Sequence, residues 1–306
     1  MAEKVTGKEP NGSPVARLWE FLRSNNKVTV GFVVVAAFFI IAMIAPLLAN
    51  HEPNQQDLTN TYRPPFWGRG GNLNNIFGTD SLGRDIYSRV VYGTRASAYV
   101  AVVGASFAGL LGITIGILAG YLKGAVEQIT MRIVDMWMSF PPVLFSIALI
   151  TILGVGINNV VLAIIVIDWT RFARVIRSET LGISERDHVQ IAKTLGFKSS
   201  TVIREEIIPN VLPIIVVLFT LEMSIAITVE VLLSFAGVGV NPIMPSWGTM
   251  IGDGLNYFRQ DIWGIAFPML ALIVVIIGIN LLGDGLREKL DPAFKLQSRK
   301  EKAGRA

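Results

Sequence analysis

Long apolar stretches separated by polar connectors dominate the chain, at 28–49, 98–122, 133–153, 158–169, 211–235 and 262–282. A helix crossing a hydrocarbon core of about 30 Å needs roughly 20 apolar residues, and in lipid it must satisfy its own backbone donors and acceptors. The pattern therefore predicts an all-α polytopic membrane protein with six transmembrane helices. The fourth stretch has the shortest apolar core and is expected to continue as helix through Arg171 and Arg174. The third contains Phe140, Pro141 and Pro142, so missing backbone donors should kink or break it near its middle. The second carries small residues at four-residue spacing, Gly104, Ala108, Gly112, Gly116 and Gly120, which lets another helix approach closely and predicts a buried helix. After the fifth, residues 235–258 are rich in Gly and Pro and are expected to form a re-entrant or interfacial loop.

Composition agrees: 52% of the 306 residues are hydrophobic and 16% charged, with a mean hydropathy of +0.53. Orientation follows from the cations. Segments assigned to the inside hold 21 Lys and Arg against 6 in those assigned to the outside, which predicts both termini in the cytoplasm. The net charge of +4 is thereby explained by topology, and no nucleic-acid partner is needed to account for it. The first apolar run is too long for a signal-peptide core and reads as a retained span. With no cysteine and only His51 and His188, the usual ligands for zinc, haem or thiol chemistry are lacking.

These features divide the chain into a cytoplasmic tail and interfacial helix (1–27), a first transmembrane helix (28–49), an extracytoplasmic segment (50–97), a five-helix core (98–285) and a cytoplasmic tail (286–306). Residues 1–14 are polar and expected to be disordered, whereas 15–27 mix Leu18, Trp19, Phe21 and Leu22 with Arg17, Arg23 and Lys27, as in a helix lying on the inner leaflet. In the extracytoplasmic segment, Asp80, Arg84, Asp85 and Arg89 are spaced to pair locally.

The one long polar stretch between two apolar spans, about 172–209, ends in QIAKTLGFKSSTVIREEIIP. Asp187 followed by Gln190 is a candidate capping box, Gly196 permits a sharp turn, and Ser199 or Ser200 can cap a second short helix running into Pro209. Two short helices joined at a glycine make a knob that can dock in another protein's groove.

This stretch resembles the coupling loop of ABC importer permeases. Gln190, Ile191 and Ala192 stand for the Glu-Ala-Ala-like triplet, Gly196 for its glycine, and Ile208 and Pro209 for the closing Leu-Pro-like pair. Gln190 and Ile191 depart from the usual Glu and Ala, and Glu206 occupies a position where an apolar residue or His is common. GTDSLGRDIYSRVVYGTR at 78–95, LSFAGVGVNPIMPSWG at 233–248 and NLLGDGLREKLDP at 280–292 extend the resemblance, to the second permease subunit of dipeptide, oligopeptide and nickel-type importers. The resemblance implies the type I importer permease fold in a bacterial inner membrane. It also implies a homologous permease partner, two cytoplasmic ATP-binding subunits and an extracytoplasmic solute-binding protein, with no cofactor in this chain. No GxxxxGK[ST] loop is present, so ATP is expected to bind the partner subunits.

Two carboxylates at membrane depth stand out as pathway or gate candidates. Glu222 lies near the middle of the fifth span, where a carboxylate is costly and faces protein or water, and it is read either as a contact for cargo or as a protonated or Arg-paired glutamate that holds the two permeases together. Glu230, two turns on, is read as structural or part of an outer gate, and Asp168 with Arg171 as an i,i+3 pair. Residues 104–108 nearly spell a GxSxG elbow around Ser106, but neither histidine falls in a span to serve as base, so an enzyme is not expected. An ion-coupled secondary transporter, with Glu222 as proton carrier, is the alternative.

Overall fold

The computed structural model describes residues 25–260 and 262–290, so the tail and most of the interfacial helix expected before residue 25, and the charged tail beyond Leu290, lie outside the described residues. Among the described residues the chain is helical, with one isolated β-bridge between Thr79 and Asp85. Helix α1 spans Asn26–Leu48, α2 Ile86–Leu122, α3 Gly124–Met138, α4 Pro142–Leu153, α5 Ile157–Ser184 and α6 Asp187–Thr194. They are followed by α7 at Ser199–Phe235, α8 at Trp247–Asn256 and α9 at Ile262–Leu290.

By length and composition α1, α2, α7 and α9 can each cross a membrane, and α3 with α4 supplies a fifth candidate, bent by 84°. The bend falls where the sequence predicts it: Pro141 caps α4 and its ring ends the donor ladder that would have continued α3. Helix α5, 28 residues long, continues through Arg171 and Arg174 to Ser184 but is not among the helices apolar enough to cross, so the described residues offer up to five candidate spans where six were expected.

The glycine stripe makes a close helix contact, and it lies within the chain, between α2 and α5. A Cβ at Gly112 would meet the Trp169 carbonyl and the Phe172 side chain, one at Gly116 would lie 2.8 Å from the Ala173 carbonyl, and one at Gly120 would lie 2.7 Å from the Arg177 carbonyl. Backbone therefore rests on backbone across three turns. A second close pair, which residue spacing alone does not single out, joins α1 to α9: Gly31 faces Leu282 and Gly278, and Gly285 faces Val28. Asn25 caps α1 and also donates to Glu288 on α9 at 2.8 Å, with Lys27 2.5 Å from the same carboxylate.

Helix α2 begins at Ile86, twelve residues before the expected span at 98, because Asp85 accepts from the Ser88 amide at 2.8 Å and caps it. Asp85 therefore serves as a cap instead of pairing with an arginine. Asp80 takes that part: Arg84 Nε donates to it at 2.6 Å and Arg89 Nε lies 3.8 Å away, while Arg84 reaches Asp253 on α8 at 3.1 Å. Loop 236–246 and the ten-residue α8 fill the stretch expected to be re-entrant, with a capping box between Ser246 and Thr249. Trp247, fully buried, donates Nε1 to the Val90 carbonyl at 3.0 Å and locks α8 onto α2.

Candidate functional site

The knob is built from α6 and the start of α7. Its apolar underside is fixed first: Val189, Val202, Ile207 and Val211 are buried together with Ile176 and Ile183 of α5, and Ala192 packs partly against them. Helix α6 ends in a Schellman motif, the Phe197 amide donating to the Ala192 carbonyl at 3.2 Å and the Gly196 amide to the Lys193 carbonyl at 3.1 Å. Gly196 has φ of +79°, as the turn reading requires.

Three local expectations are corrected. The capping box of Asp187 and Gln190 does not form: Arg186 is the cap residue, without a side-chain bond, and Gln190 Nε2 instead donates to the Ser184 carbonyl at 2.7 Å, tying α6 to the end of α5. Neither Ser199 nor Ser200 caps the next helix, which starts after Lys198. Nor does that helix stop at Pro209. It passes through a π-helical turn at Ile203–Ile207 and continues to Phe235, so the donor missing at Pro209 falls where the ladder is already shifted.

The outer face of the knob is apolar and open. Ile191, Leu195 and Phe197 are each more than half exposed, and a cavity of about 190 Å³ runs between α6 and α7, with Ala192 at its base and His188 and Glu206 at its side. His188 Nε2 and Glu206 lie 3.6 Å apart across it, which gives the unusual Glu206 a partner. Lys193 rests on the Tyr121 ring at 4.5 Å, and burial there, then the nearby Lys123, holds its pKa below the ordinary lysine value.

Glu222 is 1% exposed and accepts from Arg171 Nη1 at 2.9 Å, while Nη2 of the same guanidinium reaches Asp168 at 3.2 Å. Asp168 and Arg171 thus form the i,i+3 pair anticipated, and Glu222 joins them from α7. Sequence spacing had no means of finding this third member, since it sits 51 residues away. The Glu222 Oε1 atom has no hydrogen-bond partner among the described residues.

Glu230 is fully buried near the C-terminal end of α7 and accepts from Ser234 at 2.8 Å, with Ser97 of α2 and Ser246, the cap of α8, beside it. It joins three elements at one carboxylate. Ser234 also accepts from the Val240 amide at 3.2 Å and so holds the loop that follows.

The family model for the binding-protein-dependent transport system inner membrane component matches residues 112–296, and that for the N-terminal TM domain of oligopeptide transport permease C matches residues 13–65. The dipeptide transport system permease protein DppC of Alkalihalophilus pseudofirmus is 34% identical over 283 residues, 92% of this chain and 91% of that protein. The oligopeptide transport system permease protein OppC of Bacillus subtilis is 33% identical over 298 residues, 96% of this chain and 94% of that protein. Among solved structures, the MetNI methionine ABC transporter in an inward-facing conformation is similar with a TM-score of 0.57 at 17% identity, over 66% of this chain and 96% of that one, and carries the likeness of fold. These matches displace the ion-coupled alternative. The chain belongs to the binding-protein-dependent transport system inner membrane components, as a multi-pass permease of an ABC importer in the bacterial inner membrane.

Proposed function

We propose that this chain pairs with a homologous permease to form the route by which peptides, or small solutes of similar chemistry, enter the cell, and that partner ATPases drive it through the 172–209 loop. The observation that carries the reading is the knob: an ordered, exposed apolar surface of Ile191, Leu195 and Phe197 around the small Ala192, set on a glycine turn at the end of a membrane-depth helix. Such a surface on an otherwise charged loop fits a groove in another protein. In this reading Asp187, Gln190, Ile191, Ala192, Gly196, Ile208 and Pro209 make up the coupling element, the chain crosses the membrane six times with both termini in the cytoplasm, and an extracytoplasmic binding protein delivers the cargo. ATP binds the partner subunits and the chain carries no chemistry of its own. The peptide assignment is supported by the names of the relatives, two of them dipeptide and oligopeptide permeases.

Reconstitution with the partner permease, the ATPases and the binding protein in proteoliposomes tests the whole reading. Uptake of a labelled dipeptide is expected to require ATP and every subunit. Uptake driven by an ion gradient without ATP would overturn it.

A further inference from the structure

A concavity of about 410 Å³ opens on the outer side, lined by Tyr92, Arg95 and Tyr99 of α2, Ile157 at the start of α5, and Met244 and Pro245 of the loop after α7. Its size lies within the roughly 300–1,000 Å³ usual for a small-molecule pocket. Its walls are tied together: Tyr99 Oη donates to Asn158 Oδ1 at 2.9 Å, and the Gly156 amide donates to the Gly239 carbonyl at 3.0 Å, fixing the loop against α5.

The charge in this cavity is uncompensated. Arg95 is exposed, lies 5.9 Å over the Tyr92 ring, and meets no carboxylate among the described residues. An exposed guanidinium stacked on one aromatic ring and flanked by another presents a planar fork of donors, matched by a carboxylate. The surrounding Tyr, Met, Ile and Pro surface suits an apolar side chain. Below Arg95, Tyr99, Val102 and Ser106 are exposed along the same face of α2, so the cavity opens onto a line of accessible positions that runs into the membrane and includes a hydroxyl.

We infer that this cavity receives the transported solute on the outer side, with Arg95 binding its carboxylate; the inference rests on the peptide reading above. For a peptide, the terminal carboxylate meets Arg95 and the adjoining side chain lies against Tyr92, Tyr99 and Met244.

The test uses the complete importer with its binding protein in proteoliposomes, and compares a labelled dipeptide with its C-terminal amide. Arg95→Gln is expected to lower uptake of the free acid about tenfold, the loss of one charge-assisted contact, while uptake of the amide stays within about twofold and complex yield is unchanged. Arg95→Lys should restore most of the acid uptake. A photo-crosslinking amino acid at Tyr99 should capture the dipeptide during turnover. Equal loss for acid and amide, no change for either, or capture of phospholipid alone would overturn the assignment. If the unaltered importer takes up neither peptide, the peptide reading falls and this one with it; if it takes up both and Arg95→Gln matches it, only the site falls.

Discussion

Arg171 of α5 reaches Glu222 of α7 at 2.9 Å, and the same guanidinium holds Asp168, so one partly exposed cation is shared by two buried carboxylates. The pair bridges two helices at membrane depth. Glu222 is therefore engaged within its own chain, whereas the structural reading of the sequence placed its arginine on the partner permease.

Glu222→Gln is expected to lower the yield of folded complex by a similar factor whatever cargo is then tested, because it weakens a helix–helix tie. Arg171→Met should cost more, since it strands two carboxylates. For a fully buried pair the loss is about 3–5 kcal/mol, and the partial exposure of Arg171 brings the expected value down to about 1–2 kcal/mol. A double-mutant cycle on thermal unfolding in detergent measures the coupling; an interaction energy near zero would show that the contact contributes nothing.

Gly116→Leu should separate α2 from α5, because even a Cβ would sit 2.8 Å from the Ala173 carbonyl and 2.9 Å from Ile176 Cβ. A several-fold drop in assembled complex is expected, from overpacking of about 1–3 kcal/mol. Gly109→Ala is the control, since its Cβ would make an ordinary contact 3.4 Å from Phe172 Cζ, and its yield should stay near normal. Normal assembly of Gly116→Leu with altered cargo choice would show that the stripe faces the pathway.

At Gly196 the surroundings are open, with nothing within 4 Å of the place a Cβ would take, so the cost of a side chain there is one of backbone conformation alone. Gly196→Val forces a β-branched residue to φ near +79°, at about 1–3 kcal/mol, and should disorder the knob, whereas Gly196→Asn should be tolerated. Ala192→Trp fills the base of the cavity instead. Both Gly196→Val and Ala192→Trp are expected to insert and assemble but to lose uptake while the ATPases still turn over; full uptake by both would remove the knob from coupling.

Trp247→Phe deletes the donor to the half-buried Val90 carbonyl, at about 0.5–1.5 kcal/mol, whereas Trp247→Ala also opens a cavity and should cost about 3–5 kcal/mol. The order of the two melting temperatures is the check. Equal values would mean that the hydrogen bond contributes little beside the packing.

Periodicity and proline chemistry made much of the architecture legible in advance. The apolar runs, the break at Pro141, the small-residue stripe and the turn at Gly196 are local properties, and local properties are written in adjacent residues. What stayed hidden was long-range. Nothing near Arg84 points to Asp253, nothing near Val90 points to Trp247, and Glu222 finds Arg171 only once α5 and α7 are side by side. The errors at helix ends have one cause as well. Asp187, Ser199 and Ser200 are good capping residues by type, but Arg186 and Lys198 took the extended backbone that sets the cap position, and Gln190 found a carbonyl on α5 instead.

The backbone contact of α2 with α5 has a mechanical meaning. With carbonyls set against the positions of missing side chains over three turns, the two helices have no room to slide past each other, and they act as one stiff beam. At 1.5 Å per residue the 37-residue α2 is about 55 Å long, so a tilt of one degree about its middle displaces each end by about half an ångström. One end of that beam lies beside the glycine-hinged knob and the other carries Arg95. Leverage applied at the knob end is thus delivered to the Arg95 end with little lost in bending, and hinge-like freedom is left to the broken α3–α4 pair and to the π turn at the foot of α7.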